Sequence, residues 1–451
     1  MSKILKLLAK GKARTSNTSL LNILHYQLMQ NRNVVFYNFD KHDWIKKGYR
    51  SNAEVYKIVR KIVDKCAVPP TYLYHDNGKA DKYFRYRKGK TATDAVKGKI
   101  WRAKALDFVE GENDLLNLTE RPNSYQSWKE MMELFRIFYF VQGEAFLWRE
   151  TAIDSDIALS VHVAPSNLIE PIYSDDEDNI IKGWRIDLLG GLERELEAKD
   201  VMHLKMANPE FTNDGVQLRG QSPLLAGLKY LQLDDKAIEA WLKSVENEGA
   251  KGIVSPNHAD PELWLTPEQV RQTEEEVRKK IHGTENRNKI AVSGMPLQYT
   301  QIGFSPDALN LIEALNTAQI NLADLWGVPA VLFDPNPTYQ NQKAGAERFV
   351  SEVIIPYLEK EEEKLNSWLV KPFSERDGKD YYLDNDTSQF EELKISLDER
   401  QSLAKILTIN EMRIIEGYDT IDEKVADEIF IPQGQIPLSE WGAGFNFNDE
   451  L

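Results

Sequence analysis

The fold is decided by the stretch Leu325-Trp-Gly-Val-Pro-Ala-Val-Leu332, in which a Gly-Val-Pro step ends a long helical pattern. That helix begins at Ser305-Pro-Asp307, where serine can act as the N-cap and proline can occupy the first helical position. An earlier helix of the same design begins at Ser222-Pro223 and stops before Gly249. The sequence therefore predicts three consecutive units: helix 221–249, a small α/β insertion at 250–303, and helix 304–329.

Both flanks of this unit combine helices with strands. Residues 45–220 alternate amphipathic helical stretches with β-rich runs bounded by turn residues. Residues 330–343 form an irregular polar stretch, and a longer helical pattern follows within 344–395, where Pro356 is expected to cause a kink. Residues 396–451 combine a short helical segment with an acidic, aromatic tail. The sequence thus predicts an α+β fold.

Charge and hydropathy exclude several classes of protein. The 451 residues carry 56 basic and 71 acidic side chains, a formal net charge of −15. A protein that grips nucleic acid through its phosphates usually has a basic surface, so this chain as a whole does not clamp DNA. No apolar run approaches the roughly 20 residues of a membrane-spanning helix, and we expect a soluble, cytoplasmically made protein. Residues 1–44 are basic and are expected to form a flexible arm.

Motifs for catalysis or cofactor binding are incomplete. Lys88-Gly-Lys-Thr91 lacks the glycine that a phosphate-binding loop needs five residues before Gly89, since that position is Phe84. Gly220-Gln-Ser-Pro-Leu224 resembles a nucleophile elbow, but it lacks the second glycine and is explained by a helix cap. The single cysteine, Cys66, and seven scattered histidines do not suggest a metal site. We expect no enzyme, no cofactor and no metal.

The most unusual feature is a gap in basic residues, because no Lys or Arg occurs from Ile290 to Gln342. One interpretation is chance combined with a partly buried helix. The other is a surface past which a polyanion slides, since Lys and Arg would form phosphate ion pairs and hold DNA in place. The second interpretation predicts a channel lining of Asn310, Glu313, Asn316, Thr317, Gln319 and Asn321 on the helix, and Asn336, Thr338, Tyr339, Gln340, Asn341 and Gln342 after it.

The order of these motifs resembles that of phage portal proteins of the HK97-like class. The matching stretches are Tyr49-Arg-Ser-Asn-Ala-Glu-Val-Tyr56, Arg121-Pro-Asn-Ser-Tyr-Gln-Ser127, Gly143-Glu-Ala-Phe-Leu147, Gly220-Gln-Ser-Pro-Leu224, Asn288-Lys-Ile-Ala-Val-Ser-Gly294, Leu325-Trp-Gly-Val-Pro-Ala-Val-Leu332, Ile355-Pro-Tyr-Leu358 and Thr408-Ile-Asn-Glu-Met-Arg413. Each motif is weak alone, but together they follow the family's order over about residues 45–420.

The resemblance implies a portal fold with named parts. These are a flexible arm (1–44), an α+β wing (45–220), a first stem helix (221–249), a clip (250–303), a second stem helix (304–329), a tunnel loop (330–343), a kinked helix with further wing strands (344–395), and a crown with an acidic tail (396–451). The basic-residue gap would then lie on the second stem helix and the tunnel loop.

The resemblance also implies a function and partners. About twelve copies would form a ring at one capsid vertex, assembled in the host cytoplasm and retained in the virion, through which double-stranded DNA is packaged and ejected. The partners would be the terminase large subunit, the major capsid protein and head-tail adaptor proteins, with no membrane involved. The clip helix would present the partner contacts Glu268, Arg271, Glu274, Glu275, Arg278 and Lys279.

Two other functions are considered. Another helical, acidic capsid assembly or scaffold protein would form shells or open arrays rather than a closed ring. A nucleic-acid-processing enzyme should display a metal or phosphate constellation. The helix–insertion–helix unit, followed by Gly-Val-Pro and a further long helix, favours the portal interpretation.

Overall fold

Helices pack on small antiparallel sheets in the N-terminal half of the chain. The structure, a computed structural model, describes residues 44–86, 91–153, 155–174, 180–188, 192–210, 215–246, 252–256, 266–272, 275, 297–301, 311–431 and 436–437. The N-terminal helices are α1 (Ala53–Cys66), α2 (Ala80–Tyr86), α3 (Ala92–Ala105), α4 (Asp114–Glu120) and α5 (Trp128–Gln142). The strands here are β1 (Thr71–Asp76), β2 (Leu106–Phe108), β3 (Glu144–Thr151), β4 (Ala158–Ala164), β5 (Ile169–Tyr173), β6 (Ile181–Leu188), β7 (Leu192–Glu197) and β8 (Val201–Lys205).

The central part of the chain contains two helices that pack against each other. A single turn, α6 (Pro223–Ala226), is followed by α7 (Leu228–Glu246), and α8 (Leu311–Asp324) packs on α7. Between them in the sequence, β9 (Gly252–Pro256) and β10 (Leu297–Gln301) pair as antiparallel strands. The first predicted helix is thus broken at Gly227, where a Cβ atom would lie 2.2 Å from Cδ1 of Leu325. The break lets α6 and α7 approach the end of α8 closely.

The C-terminal part contains the remaining elements. They are α9 (Tyr339–Phe349), α10 (Ile355–Leu365), α11 (Lys371–Asp377), β11 (Tyr381–Asn385), α12 (Leu397–Leu403), α13 (Ile409–Glu416), β12 (Phe430–Ile431) and β13 (Ile436–Pro437). The sheets have the orders β11-β1-β2, β4-β3-β8 and β5-β6-β7, and β12 pairs with β13. Because β11 pairs with β1, strands from the two flanks of the central unit build one sheet together.

One hydrophobic core connects the two flanks of the central unit. It includes Ile58 of α1, Phe135 of α5, Leu147 of β3, Leu358 of α10 and Phe373 of α11, all of them fully buried. A buried ion pair reinforces this core, with Arg136 Nη2 lying 2.7 Å from Glu361 Oε1. Both flanks therefore belong to a single α+β body from which the central helices extend.

The long C-terminal helix differs from its predicted form. It begins at Tyr339, because the Thr338 side chain accepts a hydrogen bond from the Asn341 backbone and caps the helix. The predicted irregular stretch 330–343 is therefore wrong in its second part, which is helical, and residues 330–333 form a 3₁₀ turn. A π-helical turn, Val350–Ile354, lies just before Pro356, the position at which a kink is expected.

A second π-helical turn, Asn366–Val370, precedes Pro372. Proline has no N–H group, so Pro372 cannot bond the carbonyl of Trp368 four residues earlier. That carbonyl instead accepts a hydrogen bond of 2.8 Å from Nη1 of the buried Arg149. The helix continues past the proline because a neighbouring strand supplies the missing donor.

Candidate functional site

The exposed side of α8 carries no basic residue. Ala318, Leu322 and Ala323 are buried. On the exposed side lie Glu313, Asn316, Thr317, Ile320 and Asp324, which we call the α8 face. Glu313, Thr317, Ile320 and Asp324 recur at intervals of three or four, and Asn316 lies beside Thr317, so the five share one side of the helix. A polyanion that meets this side finds two carboxylates and no cation to which it could bind.

The other predicted lining residues of this helix lie elsewhere. Gln319 is half-buried, and its Nε2 donates a hydrogen bond of 2.6 Å to Glu54 of α1. Asn321 is half-buried and donates 2.7 Å back to the Thr317 carbonyl of its own helix. Asn310 lies outside the described residues. The structure therefore places Glu313, Asn316 and Thr317 together and Gln319 on the side that packs on α1.

The polar segment after α8 extends the surface without basic residues. Asn336, Thr338, Gln340, Asn341 and Gln342 are all exposed. Tyr339 joins them, with 79% of its surface exposed. A short Asx turn, in which Asn336 N donates 2.9 Å to Asp334 Oδ1, shapes the loop before the Thr338 cap. The predicted lining residues of this segment thus share one exposed stretch, half loop and half first helical turn.

The C-terminal end of α5 anchors both central helices. The last carbonyls of any helix have no partner within it. Here Trp326 Nε1, just after α8, donates 2.9 Å to the Phe140 carbonyl. Ser222 Oγ, at the start of α6, donates 2.6 Å to the adjacent Val141 carbonyl. We call this pair of contacts the α5 anchor, and it ties the inner ends of both helices to the core.

A buried ion pair lies beside the α5 anchor. Glu144 and Arg219 are both buried, and Arg219 donates from Nη2 to Glu144 Oε1 at 2.6 Å and from Nε at 2.8 Å. Gly220 N and His203 Nε2 lie 2.8 and 3.0 Å from Glu144 Oε2. Burial raises the pKa of Glu144, but the Arg219 charge and the His203 hydrogen bond outweigh it and hold that pKa well below its usual range.

Two glycines permit this close packing. Gly143 has a positive φ of 79°, and a Cβ there would lie 2.0 Å from the Gln221 carbonyl oxygen. A Cβ on Gly220 would lie 2.1 Å from the Gly143 carbonyl oxygen. Backbone therefore lies directly on backbone where β3 begins and α6 is about to start, and only glycine fits either position.

The predicted partner contacts are described only in part. Glu268, Arg271 and Glu275 are exposed, and Arg271 Nη2 lies 3.3 Å from Glu268 Oε1. Glu274, Arg278 and Lys279 lie outside the described residues. An exposed i,i+3 ion pair of this kind adds little stability, so these charges are available to a partner.

No arrangement for catalysis emerges among the residues that the structure describes. Ser160, His162 and Glu150 lie together, but Ser160 Oγ donates to Glu150 at 3.0 Å, so the carboxylate does not orient the histidine as a triad requires. Burial raises the pKa of the Cys66 thiol to about 12. In the described ranges no three His, Cys, Asp or Glu side chains gather as a metal ion would require, and no helix there is long and apolar enough to cross a membrane.

Sequence reasoning missed the α5 anchor and the Glu144–Arg219 pair. Glu144, Ser222 and Trp326 belong to three of the quoted motifs, at 143–147, 220–224 and 325–332, whereas their partners Arg219, Val141 and Phe140 lie just outside them. A possible signal was the repeated presence of glycine beside charged or hydroxyl side chains in those motifs. The partners, however, are 75 to 186 residues apart in the chain, and no local pattern connects them.

Comparison with known proteins identifies the family. An uncharacterized protein of Rickettsia bellii is 24% identical to this chain, and the match spans 73% of this chain and 83% of that protein. An uncharacterized protein of Rickettsia felis is 25% identical, and the match spans 59% of this chain and 66% of that protein. In fold, the chain is similar to a protein in a structure of the virion of a native gene transfer agent particle (TM-score 0.60, 20% identity, 88% of this chain and 99% of that one). It is also similar to a chain from the neck of the native particle computed with C12 symmetry (TM-score 0.57, 20% identity, 86% and 96% covered).

A model of the phage portal protein family matches residues 99–417, which contain the α5 anchor, the α8 face and the polar segment after it. That family is structural rather than enzymatic. The chain belongs to the phage portal protein family.

Proposed function

We propose that this protein forms a closed ring at one vertex of a capsid or capsid-like particle and serves as the conduit for double-stranded DNA during packaging and ejection. The observation that carries this proposal is the α8 face, a surface without basic residues that is anchored to the core of a portal-family chain. The similar chains from a gene transfer agent neck, computed with C12 and C6 symmetry, support a ring of about twelve subunits.

In this proposal α6–α7 and α8 are the stem helices, 250–303 the clip and 330–343 the tunnel loop. Residues 45–220 and 344–395 form the wing, and residues 396–451 the crown and tail. Because β1 and β11 pair as antiparallel strands, the two wing segments share one sheet, which supports assigning both to the same wing. Residues 1–43 of the basic arm 1–44 lie outside the described residues, and we propose no role for the arm.

The α8 face and the polar segment would line the channel. DNA held by Lys or Arg releases counterions and resists sliding. Amides, hydroxyls and sparse carboxylates do not bind phosphates in this way, so they let the duplex pass. Of the predicted lining residues, Glu313, Asn316, Thr317 and the exposed residues of 336–342 would carry this role because they are exposed, and Gln319 would contribute less because its amide donates to Glu54.

The clip would dock partners with charged surfaces. Glu268, Arg271 and Glu275 lie on its helical part and are exposed. We propose that they contact the terminase large subunit during packaging and head-tail adaptor proteins afterwards, while the wing meets the major capsid protein. The protein would be assembled in the host cytoplasm and remain in the virion.

The mass and symmetry of the purified protein test the proposal. Light scattering with negative-stain images should show a closed ring of about twelve copies with a central hole. Open sheets or shells would instead support a scaffold or capsid role. A monomer that stays unassembled alone and also fails to form rings with capsid protein would contradict the proposal.

A further inference from the structure

The C-terminal part of the chain carries an open groove. It is bounded by the connection between α12 and α13, by α13 itself and by β12, has a volume of about 670 Å³, and is lined mainly by apolar side chains. Leu407, Ile409, Met412, Tyr418 and Phe430 line it. Ile409 and Tyr418 are 42% and 65% exposed, a large apolar exposure for a short helical segment. Covering such a surface with an apolar group lowers the free energy.

The groove carries a net positive charge, because its lining carboxylate, Glu416, is paired with Arg400 at 2.9 Å. Lys405 and Arg413 line the groove, and among the described residues no carboxylate pairs with Lys405. Arg413 is fixed in place, since its Nε donates 2.7 Å to the Asp419 carbonyl and its guanidinium lies 5.6 Å from the Tyr418 ring centre. An occupant that suits the groove therefore has apolar, preferably aromatic, side chains and negative charge.

Residues 438–451 of the same chain have this composition. They include Trp441, Phe445 and Phe447, three acidic residues and no Lys or Arg. They also start at the groove, because Pro437 of β13 pairs with Phe430 of β12, and Phe430 lines the groove. At no more than about 3.6 Å per residue, Trp441 stays within about 14 Å of Pro437.

We propose that residues 438–451 bind in the groove of their own subunit, with the aromatic side chains on the apolar floor and the acidic residues facing Lys405 and Arg413. Tethering gives this segment an effective concentration in the millimolar range, so a modest affinity is enough to keep it bound. The tail would thereby cover an apolar surface that would otherwise promote contacts between particles or with other proteins.

Cysteine cross-linking tests this proposal in the full chain, whose native Cys66 is buried and does not interfere. Ala404→Cys in the groove is combined with Ala443→Cys in the tail, which leaves the aromatic and charged residues intact. Oxidation should give a cross-linked band at monomer mass. Tyr125→Cys with Ala443→Cys is the matched control, since Tyr125 is 69% exposed but does not line the groove.

Two further variants test the chemistry. Replacing Trp441 and Phe445 with serine should slow cross-linking at least about tenfold, because it removes the apolar contact. Lys405→Glu should also slow it, whereas Lys424→Glu, exposed and outside the groove, should not. Cross-linking no faster than in the control pair would overturn the proposal. A ladder of cross-linked dimers and larger species would overturn it too, because the tail would then occupy a neighbour's groove.

Discussion

At the scale of single residues, the part of the molecule under strongest constraint is the contact between Glu144 and Arg219. Neither side chain reaches water, and the carboxylate is bonded by Arg219, His203 and the Gly220 backbone. Removing one member of a buried pair leaves an uncompensated charge, which costs more than an exposed pair contributes. This constraint explains why Glu144 directly follows Gly143 at the start of β3, and why Arg219 directly precedes Gly220.

Arg219→Met should lower the free energy of unfolding at pH 7 by about 3–5 kcal/mol. Denaturant unfolding measures this change, and Arg348→Met is the control, because its pair with Glu352 is exposed and should contribute little stability. Because the pKa of Glu144 is lower in the folded state than in the unfolded state, its carboxylate stabilises the fold at pH values above the unfolded-state pKa. This stabilisation is lost as the pH falls through the folded-state pKa. The difference between wild type and Arg219→Met should therefore shrink below about pH 4. A difference that is small at pH 7, or that grows towards low pH, would contradict this account.

At the scale of elements, helix ends were the most predictable features and long-range contacts the least. Ser222 is an N-cap, as the Ser-Pro step predicted, because caps depend on residues that are neighbours in sequence. The start of α9 was misplaced by several residues even though Thr338 is an ordinary cap. The second π-helical turn could not be foreseen, since it depends on Arg149, more than two hundred residues away.

The α5 anchor should hold the two central helices independently. Trp326→Phe keeps the aromatic ring but removes the donor to the Phe140 carbonyl, and Ser222→Ala removes the donor to Val141. Each should cost about 1–3 kcal/mol of local stability, because a buried carbonyl loses its partner. Hydrogen exchange should quicken in α8 for Trp326→Phe and in α6 and early α7 for Ser222→Ala. Equal quickening of both helices in both variants would show that they move as one unit and that the separate anchors do not matter.

At the scale of the whole molecule, the sequence predicted the α+β class and the family, and it located the gap in basic residues. It could not tell which of the polar residues face outward. Asn316 and Gln319 are three positions apart, and the sequence predicted that both are exposed. However, α1 packs against one side of α8, where the Gln319 amide donates a hydrogen bond to Glu54. Burial on a helix is decided by its neighbours, and those neighbours come from distant parts of the chain.

Ring symmetry would repeat each residue of the α8 face around the channel, so one substitution becomes a belt of identical charges. Asn316→Lys with Thr317→Lys places two cations per subunit on exposed positions without disturbing the core. Rings should still assemble, but the belt would bind phosphates, and DNA-filled particles should fall by about an order of magnitude. Raising the salt concentration should restore the rate of ejection from the particles that do fill, because ion pairs with phosphate weaken in salt. Asn316→Gln with Thr317→Ser is the neutral control and should package normally. Normal packaging by the lysine variant would show that the absence of basic residues on α8 has no role in DNA movement.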